Sequence, residues 1–245
     1  MDVKSLTRRL CWYTIILYIA VIFFGRCLPL PRSQYVSSAV IRRLPRYYRF
    51  LGELLDKGVS RISSKELADL MSLTASQIRQ DLNCFGGFGQ QGYGYNVALL
   101  HSEIRKILGL DQNFQAILIG VGNLGRAFAT NIDFDSAGFH LCGLFDKDPE
   151  LIASGRKIRG LAVHSVDELE QFCKENTVDI AILCVPSDAA QSMADRLIAC
   201  GITSFWNFTH FDIKVAHPEA IVENAHLVDG LMALCYMIND MKKSD

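Results

Sequence analysis

FQAILIGVGNLGRAF, residues 114–128, decides the fold. Phe114 to Gly120 is a continuous apolar run of strand length, and it leads directly into Gly120-Val121-Gly122-Asn123-Leu124-Gly125 before the pattern turns helical. A GxGxxG string alone is a weak signal. Here it ends a strand, opens a helix, and is followed 21 residues after Gly125 by Asp146, which closes a second apolar strand, HLCGLFD. In that setting the glycines permit a tight turn and let a pyrophosphate approach the helix N-terminus, while Asp146 accepts a hydrogen bond from the adenine ribose 2′-hydroxyl. A carboxylate there repels a 2′-phosphate, so the spacing predicts NAD(H) rather than NADP(H). Lys147 beside it tempers that repulsion.

Downstream the α/β alternation continues. The pattern predicts a helix from Ser165-x-x-Glu168, a strand Asp179–Val185, a helix Ala189–Cys200, a strand Ser204–Phe208 and a short strand near His226–Val228. Val185, Pro186 and Asn207 then fall at strand carboxyl ends, where open parallel sheets bind ligands. Pro186 also reads as a plain strand stop. One helix follows, with Leu231, Leu234, Met237, Ile238 and Met241 at helical spacing. It can cover a partner or its own chain. About 17 residues after the last strand are too few for a lobe carrying substrate-binding and acid/base groups, so no catalytic residue is expected. His210 and His217 have no partner recognisable in the sequence.

Upstream the chain is basic. Residues 36–99 carry eight Lys/Arg against five Asp/Glu, whereas residues 100–245 carry twelve against twenty. Ala39–Lys57 repeats apolar residues at helical spacing, with Ser37 and Ser38 available as caps, Pro45 predicted to kink or split the helix, and Arg42, Arg43, Arg46 and Arg49 on it. Two short helices follow, opened by Ser63-x-x-Glu66 and Thr74-x-x-Gln77 and joined only by Ser72 and Leu73, the pattern of a helix-turn-helix. Its second helix would offer Ser76, Gln77, Arg79, Gln80 and Asn83 to DNA. Arg reads guanine and Gln reads adenine by paired hydrogen bonds. FGGFGQQGYGYNV then reads as a glycine-rich hairpin, a wing with Gln90 and Gln91 at its tip and Tyr93 within reach of phosphate.

Half the residues are apolar, with 18 Gly and 6 Pro, which is a globular composition. The eight cysteines form no CxxC and no Cys/His ligand spacing, so no metal is expected and most read as buried thiols of a reducing cytosol; Cys84, at a helix end, is the one to test for reactivity. Leu10–Gly25 is uncharged, apolar and slightly short for a membrane span. It is either a membrane anchor or sequence upstream of a start at a codon such as that of Val36. The expected organisation is an extension at 1–36, a DNA-binding domain at 37–97, a linker helix at 98–111, a dinucleotide domain at 112–228 and a terminal helix at 229–245.

SAVIRRLPRYYRFL, ASQIRQDLNCFGGFGQQGYGYNV, GVGNLGRA, FDKDP and AILCVPSDAAQSMADRL together resemble the redox-sensing transcriptional repressor Rex family, over residue 37 to the end. The resemblance implies an α/β chain with an N-terminal winged helix, a Rossmann-type parallel sheet and a swapped C-terminal helix. It further implies a cytoplasmic homodimer that binds double-stranded operator DNA, takes NAD⁺ and NADH, and leaves the operator when NADH binds. By this likeness Arg79 and its neighbours match the recognition helix, Gly120–Gly125 the pyrophosphate loop and Asp146 the ribose acid. Gln80, Gln90 and Gln91 stand where basic residues are usual, and Asn131 where a tyrosine is. Two other readings are an NAD-dependent oxidoreductase with an appended helical domain, and a nucleotide-binding interaction protein that never touches DNA.

Overall fold

The structure is a computed structural model that describes residues 36–90 and 92–244. The chain divides into two compact units, one ending at His101 and one beginning at Ser102. The expected extension at 1–36, including the apolar run Leu10–Gly25, lies outside the described residues except for Val36. Among the described residues no helix is long and apolar enough to cross a membrane.

In the first unit, α1 (Ser38–Asp56) begins at Ser37, whose hydroxyl accepts the Val40 N–H, and buries Val40, Leu44, Tyr47 and Leu51 along one stripe. Pro45 neither splits nor ends it. The proline lies on the exposed side, where water can serve the carbonyl that loses its donor. The strand β1 is Arg61–Ile62. The helix α2 (Ser64–Met71) has both halves of its capping box, Ser63 accepting from Glu66 N–H and Glu66 accepting from Ser63 N–H. Ser72 takes a left-handed conformation and turns the chain into α3 (Ala75–Asn83), where Thr74 accepts the Gln77 N–H. β2 (Gly89–Gln90) and β3 (Gly94–Asn96) complete an antiparallel sheet in the order β1-β3-β2. Gly94 has φ +68°, and a Cβ there would come within 2.5 Å of the Ile62 carbonyl oxygen, so the wing closes only around glycine. α4 (Val97–Ile107) carries the chain out of this unit.

The second unit contains β4 (Phe114–Ile119), α5 (Asn123–Asn131), β5 (Phe139–Asp146), α6 (Pro149–Ala153), β6 (Val163–Ser165), α7 (Leu169–Glu175), β7 (Ile180–Leu183), α8 (Ser187–Ala199), β8 (Ser204–Asn207), α9 (Ile213–Ala216), β9 (Ile221–Asn224) and α10 (Leu227–Ser244). The six strands are parallel in the order β6-β5-β4-β7-β8-β9, so the winding reverses between β4 and β7 and opens a crevice there. Alternate residues of β4 and β7 feed two cores. Ile117, Ile119, Ala181 and Leu183 pack with α7 and α8, whereas Ala116, Leu118 and Ile182 pack with α5.

One expectation is corrected here. The last strand is Ile221–Asn224, not His226–Val228, and residues 227–228 already belong to α10. IVEN is a short edge strand with exposed Ile221 and Glu223, so it lacks the apolar run by which a buried strand is read. Among the described residues the apolar stripe of α10 is left bare: Leu231 is 62%, Met237 59% and Met241 72% exposed. On the α5 side of the sheet, Ile180, Ile182, Trp206, Ile221, Ile132 and Phe134 line an open apolar groove of about 390 Å³. Among the described residues α7 and α8 pack on the opposite face and leave this groove open, with α5 reaching only its edge through Phe128 on Trp206.

Candidate functional site

The nucleic-acid candidate lies in the first unit. Its organising group is Asp81 on α3, only 2% exposed. Its Oδ2 accepts from Arg43 Nε at 2.6 Å and from the Tyr47 hydroxyl at 2.8 Å, and its Oδ1 accepts from Arg43 Nη2 at 2.7 Å. A bidentate, charge-assisted pair with a third donor is strong and directional. The pair raises the Arg43 pKa, and burial followed by the Asp81 bond pushes the Tyr47 hydroxyl well above its ordinary range. Arg43, expected on the cationic face, is therefore turned inward and holds the second helix of the helix-turn-helix against α1. Arg46 remains exposed, but its Nη2 donates to the Met71 carbonyl at 3.0 Å, serving the free C-terminal end of α2. Arg49 is exposed beside the Phe50 ring.

Between α3 and the wing runs a groove of about 530 Å³ with mixed polar and apolar walls, lined by Ser63, Ser64, Arg79, Asn83, Gly92 and Tyr95. Arg79 Nη1 donates to Ser64 Oγ at 3.0 Å, which holds the guanidinium at the groove. Ser76, Gln80 and Asn83 are exposed and Gln77 is half-buried. Gln90 is in β2; its side chain and all of Gln91 lie outside the described residues. Tyr93 is 69% exposed, with Arg61 Nη1 donating to its carbonyl at 3.1 Å and the Arg61 guanidinium beside its ring. Arg61, Ser64 and Asp81 were not singled out in the sequence. A single exposed-pattern Arg and a lone Asp carry no periodic signal, and only the wing pairing and the α1–α3 packing bring them to the site. Cys84 is half-buried, and its thiol donates to the Gln80 carbonyl.

The dinucleotide candidate is the turn between β4 and α5. Gly120 has φ +92°, and a Cβ there would lie 2.6 Å from the Cys184 carbonyl oxygen; a Cβ on Gly125 would strike the Gly120 carbonyl. Those two glycines are demanded by the fold itself. Gly122 is different, because nothing lies within 4 Å of the Cβ it lacks. It caps α5 without a side-chain bond, so backbone donors of the first turn face open space, as an arriving phosphate needs. Asp146 ends β5 with Oδ2 accepting the Val121 N–H at 2.6 Å and Oδ1 accepting the Asp148 N–H at 2.9 Å. Each oxygen keeps acceptor capacity for a ribose hydroxyl. Arg126 Nε, on the first turn of α5, is buried without a partner among the described residues. This open glycine, carboxylate and unused donor fit an adenine dinucleotide. Asn123, Leu124 and exposed Lys147 border the same turn.

At the strand ends the sequence expectations separate. Val185 and Pro186 lie between β7 and α8, at the switch point. Asn207 is fully buried with its amide spent: Nδ2 donates to Phe211 O and Asn224 Oδ1, and Oδ1 accepts from Thr209 N and Oγ1. It shapes the loop instead of offering a contact to a ligand. His217 does have partners, Asp195 at 2.7 Å and Glu219 at 3.5 Å, and the His210 ring stacks on His226. Asn131 turns back on its own helix, donating to the Ala127 carbonyl.

Residues 35–83 match the family described as "Putative DNA-binding protein N-terminus", and residues 111–211 match the family described as "CoA binding domain". The redox-sensing transcriptional repressor Rex of Clostridioides difficile (strain 630) is 53% identical over 210 residues, which is 86% of this chain and 99% of that protein. Rex of Caldanaerobacter subterraneus subsp. tengcongensis is 54% identical over 209 residues, 85% of this chain and 92% of that one. Among solved structures, RSP in complex with β-NAD⁺ and operator DNA superposes with a TM-score of 0.78 at 54% identity, covering 84% of this chain and 94% of that one. RSP in complex with β-NADH gives 0.76 at 51% identity, covering 84% and 96%. With half its residues shared over nearly the whole length of these repressors, the chain belongs to the Rex family of redox-sensing transcriptional repressors.

Proposed function

We propose that this protein binds a two-fold symmetric operator as a homodimer and lets go of it when NADH occupies the turn after β4. The reading rests on one observation: both halves of the site occur in one chain that is similar over 84% of its length to RSP, a protein seen with operator DNA and β-NAD⁺ and also with β-NADH. Arg79, Ser76, Gln77, Gln80 and Asn83 read bases, while Arg46, Arg49, Tyr93 and the wing tip Gln90–Gln91 hold backbone. Gly120–Gly125, Asp146, Lys147, Val185 and Pro186 hold the dinucleotide. NAD⁺ and NADH act as ligands only, and the working compartment is the cytoplasm.

A ligand changes DNA affinity only by binding one arrangement of the dimer better than another. The exposed apolar faces of α10 and the uncovered groove beside Trp206 supply the dimer contact, with each α10 covering the other subunit. Titrating NADH into the operator complex releases the DNA at concentrations where NAD⁺ does not, as read by fluorescence anisotropy. A complex indifferent to both nucleotides overturns the mechanism. Asp146→Ala weakens NADH binding and leaves operator affinity without nucleotide unchanged.

A further inference from the structure

On the face of the sheet opposite α5, three half-buried thiols lie close together: Cys142 on β5, Cys173 on α7 and Cys200 at the end of α8. The helices α7 and α8 precede and follow β7 in a parallel sheet, so they run in the same direction. One ion pair fixes their register. Arg196 Nε donates to Glu170 Oε1 at 2.7 Å and its Nη2 to Glu170 Oε2 at 2.8 Å, while Nη2 also donates to the Val166 carbonyl at 2.7 Å. Cys173 is three residues after Glu170, and Cys200 four after Arg196, where the backbone is still helical because Cys200 N–H donates to the Arg196 carbonyl. One helical turn beyond the ion pair, the two side chains therefore meet. The Cys200 thiol is near enough to help raise the Cys173 pKa, second only to burial.

We propose that Cys173 and Cys200 form a dithiol that small hydroperoxides convert to a reversible disulfide, a second oxidation-sensitive site separate from the dinucleotide turn. The roles divide by environment. Burial, and then the neighbouring Cys200, push the Cys173 thiol up to about 12, so Cys173 keeps its proton. Cys142 is engaged elsewhere, its thiol donating to the Ala116 carbonyl at 3.3 Å. The Cys200 sulfur attacks the outer oxygen of the hydroperoxide, the O–O bond breaks, and the alcohol leaves with the thiol proton. The sulfenic acid formed on Cys200 is then attacked by the Cys173 sulfur. The S–S bond forms, the S–O bond breaks, and hydroxide leaves as water with the Cys173 proton. Two thiols lose two electrons and the peroxide gains them. The pair lies at the α8 terminus opposite to the one that follows Val185 and Pro186, so oxidation leaves the dinucleotide turn intact.

The test uses the full-length reduced protein, treated with hydrogen peroxide, quenched, denatured and alkylated, then mapped as peptides without reduction. The expected result is loss of both alkylatable thiols together and a cross-linked peptide pair joining residues 173 and 200, reversed by dithiothreitol. Cys173→Ser stops the reaction at a Cys200 sulfenic acid that dimedone captures; Cys200→Ser abolishes both products. NADH binding by the oxidised wild-type protein stays as in the reduced one. Cysteines 173 and 200 that stay alkylatable while Cys84 or Cys235 is oxidised would overturn the proposal. So would cross-links spread evenly over other pairs. Because those readings come from the wild-type chain, poor folding of either variant does not rescue it.

Discussion

The two longest helices of the described residues stand at opposite ends of the chain and behave in opposite ways. The α1 helix has 19 residues and inserts Leu44, Tyr47 and Leu51 so deeply that none exceeds 2% exposure. The α10 helix has 18 residues and a less sharply segregated apolar stripe, and leaves Leu231, Leu234 and Ile238 at least 43% exposed. Amphipathic pattern fixes which face of a helix must be covered and says nothing about which chain covers it. Isolated helices of this length are marginal in water, so an α10 bare among the described residues needs the cover that the proposed dimer gives it.

The sharpest way to break the comparison is to remove α10. Deleting residues 227–245 yields a monomer in analytical ultracentrifugation, and operator affinity falls on the order of a hundredfold or more as two linked half-site contacts become independent. A truncated protein that remains dimeric and keeps its NADH response leaves α10 without this role and turns attention to the Arg42–Leu55 face of α1. Comparable in size is the buried anchor of α1. Asp81→Ala strands the Arg43 charge and costs about 3–5 kcal/mol in urea unfolding. Leu51→Ala costs about 2–5 kcal/mol by opening a cavity. The matched change Leu231→Ala alters the unfolding of dilute monomer by no more than roughly 0.5 kcal/mol and acts only on dimer dissociation. Equal losses at Leu51 and Leu231 would erase the distinction between the helices.

Smaller effects separate readers from holders of DNA. Arg79→Ala costs about 1–3 kcal/mol and relaxes discrimination at one base pair, whereas Arg46→Ala weakens specific and random duplex alike, both measured by competition anisotropy. The smallest effect concerns pH. Burial pushes the Cys184 thiol up to about 12, above the roughly 8.5 of an unfolded cysteine. Its contribution is thus whole below about pH 8.5 and is lost as pH climbs toward 12. Melting curves of the wild type fall more steeply over that alkaline range than those of Cys184→Ala.

Sequence carried the dinucleotide turn almost to the residue, because GVGNLG between an apolar run and a helix is a local signal whose geometry is local too. The capping residues Ser63 and Thr74 were legible for the same reason. What escaped depends on distant partners. Arg43 reads as one more surface cation until Asp81, 38 residues away, is folded beneath it. Asn207 reads as a ligand at a strand end until Thr209, Phe211 and Asn224 claim its amide. β9 escaped for a third reason, since an edge strand with one wet face has too few apolar residues to announce itself.

The chain holds two tryptophans, and one of them, Trp206, lines the bare groove with its ring stacked on Phe128 and edge-on to Phe208. An indole half open to water emits at longer wavelength than one sealed in hydrocarbon. If Trp12 is replaced by Phe, Trp206 becomes the sole indole emitter, and its colour reports whether that groove is filled. Assembly then becomes visible as a blue shift on concentration, without label or crystal, and nucleotide that loosens or tightens the contact moves the same band.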